Sequence, residues 1–190
     1  MKKEVKSWKN ITLEQGIELA LLDIEGSWEL ITNQMSIILD TTMDEIENKP
    51  AALVYEFMND YSFIKEMPPL KKLDHFKVDG QWYKLIDLSE MTLAQMVDIE
   101  EYYSMGLIEN VHKILSVLYL PAKKSLFGKW EISEYVPDKK REDIFLKMDM
   151  EAVWGTTLFF WSIVQGYTKG LKDFFNQETT KKMNMKLKED

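Results

Sequence analysis

The residues with the clearest chemical spacing are Glu109 and His112, in the run "GLIENVHKILSVLYLP". Glu-x-x-His on a helix aims a carboxylate and an imidazole at one ion, as in the helical di-iron and di-manganese proteins. A carboxylate-bridged dimetal centre needs a second Glu-x-x-His and two more glutamates on facing helices. The chain's other histidine, His75, has Lys72 three residues before it, so one chain cannot complete the set. Glu109 and His112 fall instead at the polar margin of a stripe formed by Leu107, Ile108, Val111, Ile114, Leu115 and Leu118.

Asp98, Glu100 and Glu101 are the next candidates, as carboxylates for acid–base work. Asp98 and Glu101 share a helix face, whereas Glu100 and Glu101 diverge by about 100°. Without a dry cleft to raise one pKa, such a pair is a solvated surface feature. The eight glycines are scattered. Gly166 to Gly170 lacks the lysine and serine of a phosphate loop. Gly155, Gly166 and Gly170 suit the close approach of another helix. No serine lies in a nucleophile elbow. The absence of cysteine removes disulfides, thiolate zinc sites and cysteine nucleophiles together, and fits a reducing cytoplasm. The expectation is a non-enzyme with no catalytic residue, metal or cofactor.

The elements that would carry any site follow from composition and pattern. With 190 residues, 45% of them hydrophobic, the chain can bury one ample core or two small ones. Its 24 Lys and Arg against 32 Asp and Glu give a net charge of -8, which argues against a general affinity for nucleic-acid phosphates. Basic residues gather at the two ends, in "MKKEVKSWK" and "KKMNMKLK". No apolar run with a small-residue cleavage site follows the first, so export by a signal peptide is not expected. "AVWGTTLFFWSIVQGY", Ala152 to Tyr167, carries Thr156, Thr157 and Gln165 and is shorter than the roughly 20 residues of a membrane span. A buried core helix is the expectation there.

Helical patterns fill most of the chain. Thr12 to Gln15 is a capping box ahead of Leu13, Ile17, Ala20, Leu21 and Ile24. Gly26-Ser27 interrupts, and Trp28, Ile31, Met35, Ile38 and Leu39 mark a second helix ending near Asp40. Thr42 can cap a short helix, and Pro50 opens another that Pro68-Pro69 stops. "HFKVDGQWYKLIDL" then alternates about Asp79-Gly80, a dipeptide suited to a two-residue hairpin turn because both positions need positive φ. That pairing puts Phe76, Val78, Tyr83 and Leu85 on one face and Lys77, Trp82 and Lys84 on the other. Thr92 to Gln95 repeats the capping box, and Leu93, Met96, Val97, Ile99 and Tyr103 lead to Gly106. A helix from Leu107 to Leu120 is closed by Pro121. Residues 121 to 138, with "KWEISEYV" extended, read as a long connection packed by its aromatic residues. Asp138 can cap "KKREDIFLKM", and Glu151 opens the final long helix.

The expected fold is therefore mainly α: a helical domain with one inserted β-hairpin at about residues 75–86. Residues 1–11 form a basic N-terminal segment, 12–175 the single domain, and 176–190 a polar lysine-rich tail. What stands in excess is apolar bulk: six Trp, nine Phe, eight Tyr and twelve Met. Trp154, Phe160 and Trp161 make the last helix apolar nearly all round, which suits a central core helix or one covered by a partner. The candidate contact surfaces are that helix, with Trp154, Phe160, Trp161 and Tyr167, the outer hairpin face at Trp82, and the tail with Lys181, Lys182, Lys186 and Lys188.

The run "VDGQWYKLIDLSEMTLAQMVDIEEYY", followed by "LIENVHKILSVLYLP", resembles small proteins of tailed bacteriophages, crAss-like and related phages of gut Bacteroidetes in particular. The shared pattern is a hairpin, then Thr-x-x-Gln-x-x-Asp, then a helix reading "hKILxVLYxP". With "SWELITNQMSIILDTTMDEIENKP" upstream and "FFWSIVQGY" downstream, the likeness covers roughly residues 20 to 175. Family members often place an arginine before the proline, where this chain has Leu120. The resemblance implies a non-enzymatic virion protein, structural or cargo, in the tail and portal region or the particle interior. It would be made in the host bacterial cytoplasm and held in the virion by other phage structural proteins, copies of itself among the candidates, with no nucleic acid and no membrane span. The rivals are a tail-assembly chaperone that leaves before maturation, a small helical metal-binding enzyme using Glu109 and His112, and a membrane-surface protein using the last helix.

Overall fold

A computed structural model describes residues 6–24, 26–125 and 128–162. The protein is mostly helical with a small four-stranded antiparallel sheet. In chain order the elements are α1 (Leu13–Ala20), α2 (Ser27–Leu39), α3 (Met43–Glu47), α4 (Ala51–Asp60), β1 (His75–Val78) and β2 (Gln81–Leu85). There follow α5 (Leu93–Ser104), α6 (Leu107–Leu118), β3 (Tyr119–Lys124), β4 (Trp130–Ile132) and α7 (Lys139–Leu146). A last helix, α8, begins at residue 150 and is described to residue 162.

Caps explain where most helices start. The hydroxyls of Thr12, Thr42 and Thr92 each accept from the backbone N–H three residues on, and Gln15, Glu45 and Gln95 return the bond to the threonine N–H. Asp138 accepts from the Lys140 N–H, and Asp149 from that of Ala152 at 2.8 Å, which begins α8 slightly earlier than Glu151. The folded unit also starts before residue 12. Ser7 caps a short 3-10 turn, Trp8 packs edge-on against Phe63 at 5.4 Å, and Ile11 is fully buried.

The single inserted hairpin is corrected to part of a larger sheet. β1 and β2 pair about Asp79-Gly80, both at positive φ (49° and 83°). β2 then pairs with β3, and β3 with β4, in the order β1-β2-β3-β4. The helix expected to reach Leu120 ends at Leu118, and the chain continues directly into β3 through Tyr119. Pro121 therefore lies inside a strand instead of stopping a helix. Its carbonyl accepts from the Ser133 N–H at 2.8 Å. Its nitrogen faces that same side, past the end of β4, so no bond to β2 is lost.

The carbonyls at the end of α6 find partners from four places. That of Leu115 accepts from Tyr119 N–H, and that of Ser116 from the Arg141 Nε at 2.6 Å. The Val117 carbonyl accepts from Gln95 Nε2 at 3.2 Å, and the Leu118 carbonyl from Ile86 N–H at 3.0 Å. A helix end leaves such groups open, and here they are closed from the first residue of β3, α7, α5 and the segment after β2. That accounts for the burial of the polar side chains of Gln95 and Arg141, each 3% exposed. Burial holds the guanidinium of Arg141 below its ordinary pKa.

The inner sheet face carries Phe76, Tyr83, Leu85 and Tyr119 into the core against Phe145 of α7. Tyr119 Oη donates to the Leu73 carbonyl and lies 2.8 Å from Thr156 Oγ1 of α8. Beside it Gly155 is packed on the backbone of Lys71, where an added Cβ would lie 2.3 Å from the carbonyl oxygen. The close approach expected at Gly155 is thus to a connecting segment and not to a helix. Gly166 and Gly170 lie outside the described residues.

Candidate functional site: two outward faces

α5 is turned differently from the pattern in its sequence. Of Leu93, Met96, Val97, Ile99 and Tyr103, only Ile99 is buried; Leu93, Met96 and Val97 are 76%, 55% and 52% exposed. Gln95 decides the rotation, because its amide must close the Thr92 cap and reach the Val117 carbonyl at once. Leu93, Met96, Val97 and Glu100 then share the opposite side of the helix. Between Lys84 and Lys113 the chain has Asp87, Glu90, Asp98, Glu100, Glu101 and Glu109 but no lysine or arginine. The outward face of α5 is accordingly apolar and acidic.

The outer face of the sheet has the opposite character. Trp82, opposite Lys77 and Ala122 in the ladder, shares that face with His75, Lys84, Lys124 and Trp130. The rings of His75, Trp82 and Trp130 form a triangle with centroid separations of 5.0, 5.5 and 5.6 Å. They lie over Leu120 and Ala122, which are 4% and 2% exposed. Lys77 sits 5.5 Å above Trp82 and Lys124 the same distance above Trp130. Lys84 pairs with Asp74, whose other oxygen is 3.1 Å from His75 Nδ1. Those two bonds, Lys84 foremost, hold the Asp74 carboxyl below its ordinary pKa. Lys77 and Lys124 enter no ion pair among the described residues.

The remaining candidate residues separate. Phe160 is 5% exposed and belongs to the core, so it offers no contact surface, while Trp161 is 41% exposed. Trp154 is half-buried, with its indole nitrogen buried and without a hydrogen-bond partner among the described residues. It borders an apolar cavity of about 200 Å³ between α1, α6 and α8. Tyr167, Lys181, Lys182, Lys186 and Lys188 lie outside the described residues. Comparison with protein-family models, curated proteins and solved structures gives no match to this chain.

The chemical candidates resolve into surface and scaffold. Glu109 is exposed and His112 half-buried, and burial pushes that imidazole below its usual pKa. Among the described residues no three or more His, Asp or Glu are grouped to hold a metal ion. Asp98 accepts from the Tyr135 hydroxyl, tying the segment after β4 to α5; burial, and then this bond, push the phenol pKa up. No helix among the described residues is long and apolar enough to cross a membrane. Alternation along β2 places Trp82 outward. No local signal finds Trp130, whose ring reaches His75 on β1 across two intervening strands.

Proposed function

We propose that the chain is a non-enzymatic structural or cargo protein of a tailed-phage particle, working through protein–protein contacts. It is made in the host bacterial cytoplasm and retained in the virion, with other phage structural proteins and copies of itself as partners. The observation that carries the protein-contact reading is α5. A helix with one side in the core and a second apolar row, Leu93, Met96 and Val97, facing outward is suited to a covering partner. The phage part of the reading is supported by the resemblance over residues 20 to 175. A net charge of -8 disfavours nucleic acid as the partner.

Mass spectrometry of gradient-washed phage particles, quantified against the major capsid protein, tests it. A fixed stoichiometry is expected. Clear absence from particles, with the chain abundant in infected cells, sinks the virion reading and leaves the assembly chaperone.

A further inference from the structure

The two outward faces complement each other. The face of α5 offers three exposed aliphatic side chains beside Glu100 and Glu101, in a stretch with no basic residue. The sheet face offers Trp82 and Trp130 with Lys77 and Lys124, both free of ion pairs among the described residues, and Ile132 at its edge, 38% exposed. Aromatic anchors rimmed by charge are what protein interfaces concentrate, and opposite charge orients the encounter. Each face turns away from the core that its own element covers: α5 buries Gln95 and Ile99, and the sheet buries Phe76, Tyr83 and Tyr119. Among the described residues, therefore, neither is covered within its own chain.

We propose that the chain associates head to tail with copies of itself, the aromatic and basic sheet face of one copy receiving the acidic and apolar face of α5 from the next. The inference rests on the protein-contact reading above and adds its partner and geometry. Because the two patches differ, the contact is heterologous. Each added copy leaves one face of each kind open, so growth continues until a ring closes or a filament forms.

The test uses the full chain in sedimentation velocity from about 1 to 100 µM, a span matched to micromolar dissociation constants. Wild type is expected to form species larger than a dimer, with dissociation constants that rise about tenfold or more between 50 and 500 mM salt. Two charge-reversed variants follow: Glu100→Lys with Glu101→Lys, and Lys77→Glu with Lys124→Glu. All four side chains are exposed, and circular dichroism checks that the fold is kept. Each variant alone carries like charge on both faces and is expected to stay monomeric. Mixed in equal amounts, the two have opposite charge at every contact and are expected to assemble. A monomeric wild type across this range overturns the inference, as does a sheet-face variant that assembles like wild type or a mixture that stays monomeric. A chain absent from phage particles that still assembles in this way sinks only the virion reading. A chain present in particles but monomeric in solution sinks only the head-to-tail contact.

Discussion

Replacing Gln95 isolates what holds the end of α6. Its Oε1 accepts from the Thr92 N–H at 3.0 Å, and its Nε2 donates to the buried Val117 carbonyl at 3.2 Å. Gln95→Glu keeps the acceptor and loses the donor. At pH 7 it also sets a carboxylate, in a site 3% exposed, against a carbonyl oxygen. A lost bond costs about 1 kcal/mol, and an unsatisfied buried acceptor about 1–3 kcal/mol more. Burial of an unpaired charge brings the total to about 3–5 kcal/mol. Gln95→Leu, with no charge, should cost about 2–3 kcal/mol. The sign with pH is fixed by chemistry. A protonated Glu can donate to the Val117 carbonyl, so its folded pKa lies above the unfolded value of about 4.3. The variant's stability relative to wild type is highest below that pH and falls as pH rises through the folded pKa. Urea denaturation of both proteins, followed by tryptophan fluorescence at pH 4 and pH 7, measures the difference at each. A Glu variant within about 0.5 kcal/mol of wild type at pH 7, or a deficit indifferent to pH, would refute the reasoning.

Arg141→Met removes donors to Ser116 and Val136 carbonyls at 2.6 and 2.8 Å and should cost about 2–4 kcal/mol in the same assay. Gly155→Ala drives a methyl into the Lys71 backbone, and chemical denaturation should report a loss of about 1–3 kcal/mol or failure to fold. Tyr119→Phe loses the hydroxyl shared by Leu73 and Thr156, with an expected cost of about 1–2 kcal/mol and faster hydrogen exchange at the Leu73 amide. For Asp74→Asn the loss is under about 1 kcal/mol, since the Asp74 carboxylate is largely exposed. The folded-state pKa of Asp74 is depressed. Its contribution is therefore present above about pH 4, the ordinary aspartate value, and fades as pH falls through the folded pKa, so thermal melts of wild type and variant should converge in acid.

Much of this architecture is local and could be read in sequence. The hydroxyls of Thr12, Thr42 and Thr92 meet amides only three residues away, and a bond that short needs no knowledge of the rest of the fold. Alternation on β2 likewise separates Trp82 from Tyr83. What escaped the reading depends on distant partners. Val117-Leu118-Tyr119-Leu120 is apolar without interruption, so periodicity cannot say where helix becomes strand. The ladder to β2 and the bonds from Gln95 and Arg141 decide it. The outward row on α5 was hidden for the same reason. Leu93, Met96 and Val97 have helical spacing with Ile99 near enough to suggest one stripe, and only the reach of Gln95 to another helix separates them. The partners of Trp82 on the outer sheet face come from β1 and β4, and the pairing of β4 is set by three residues.

The passage from α6 to β3 with no intervening turn constrains how this chain can vary. Inserting or deleting one residue in α6 rotates everything after it by about 100° about the helix axis. In β3 the same single-residue shift exchanges the two faces, sending Tyr119 outward and Leu120 inward. No loop lies between the two elements to absorb either change, so length variation should be excluded from residues 107–124 as a unit. Substitutions there can be tolerated one at a time. Gains and losses of residues should collect in the connections outside it.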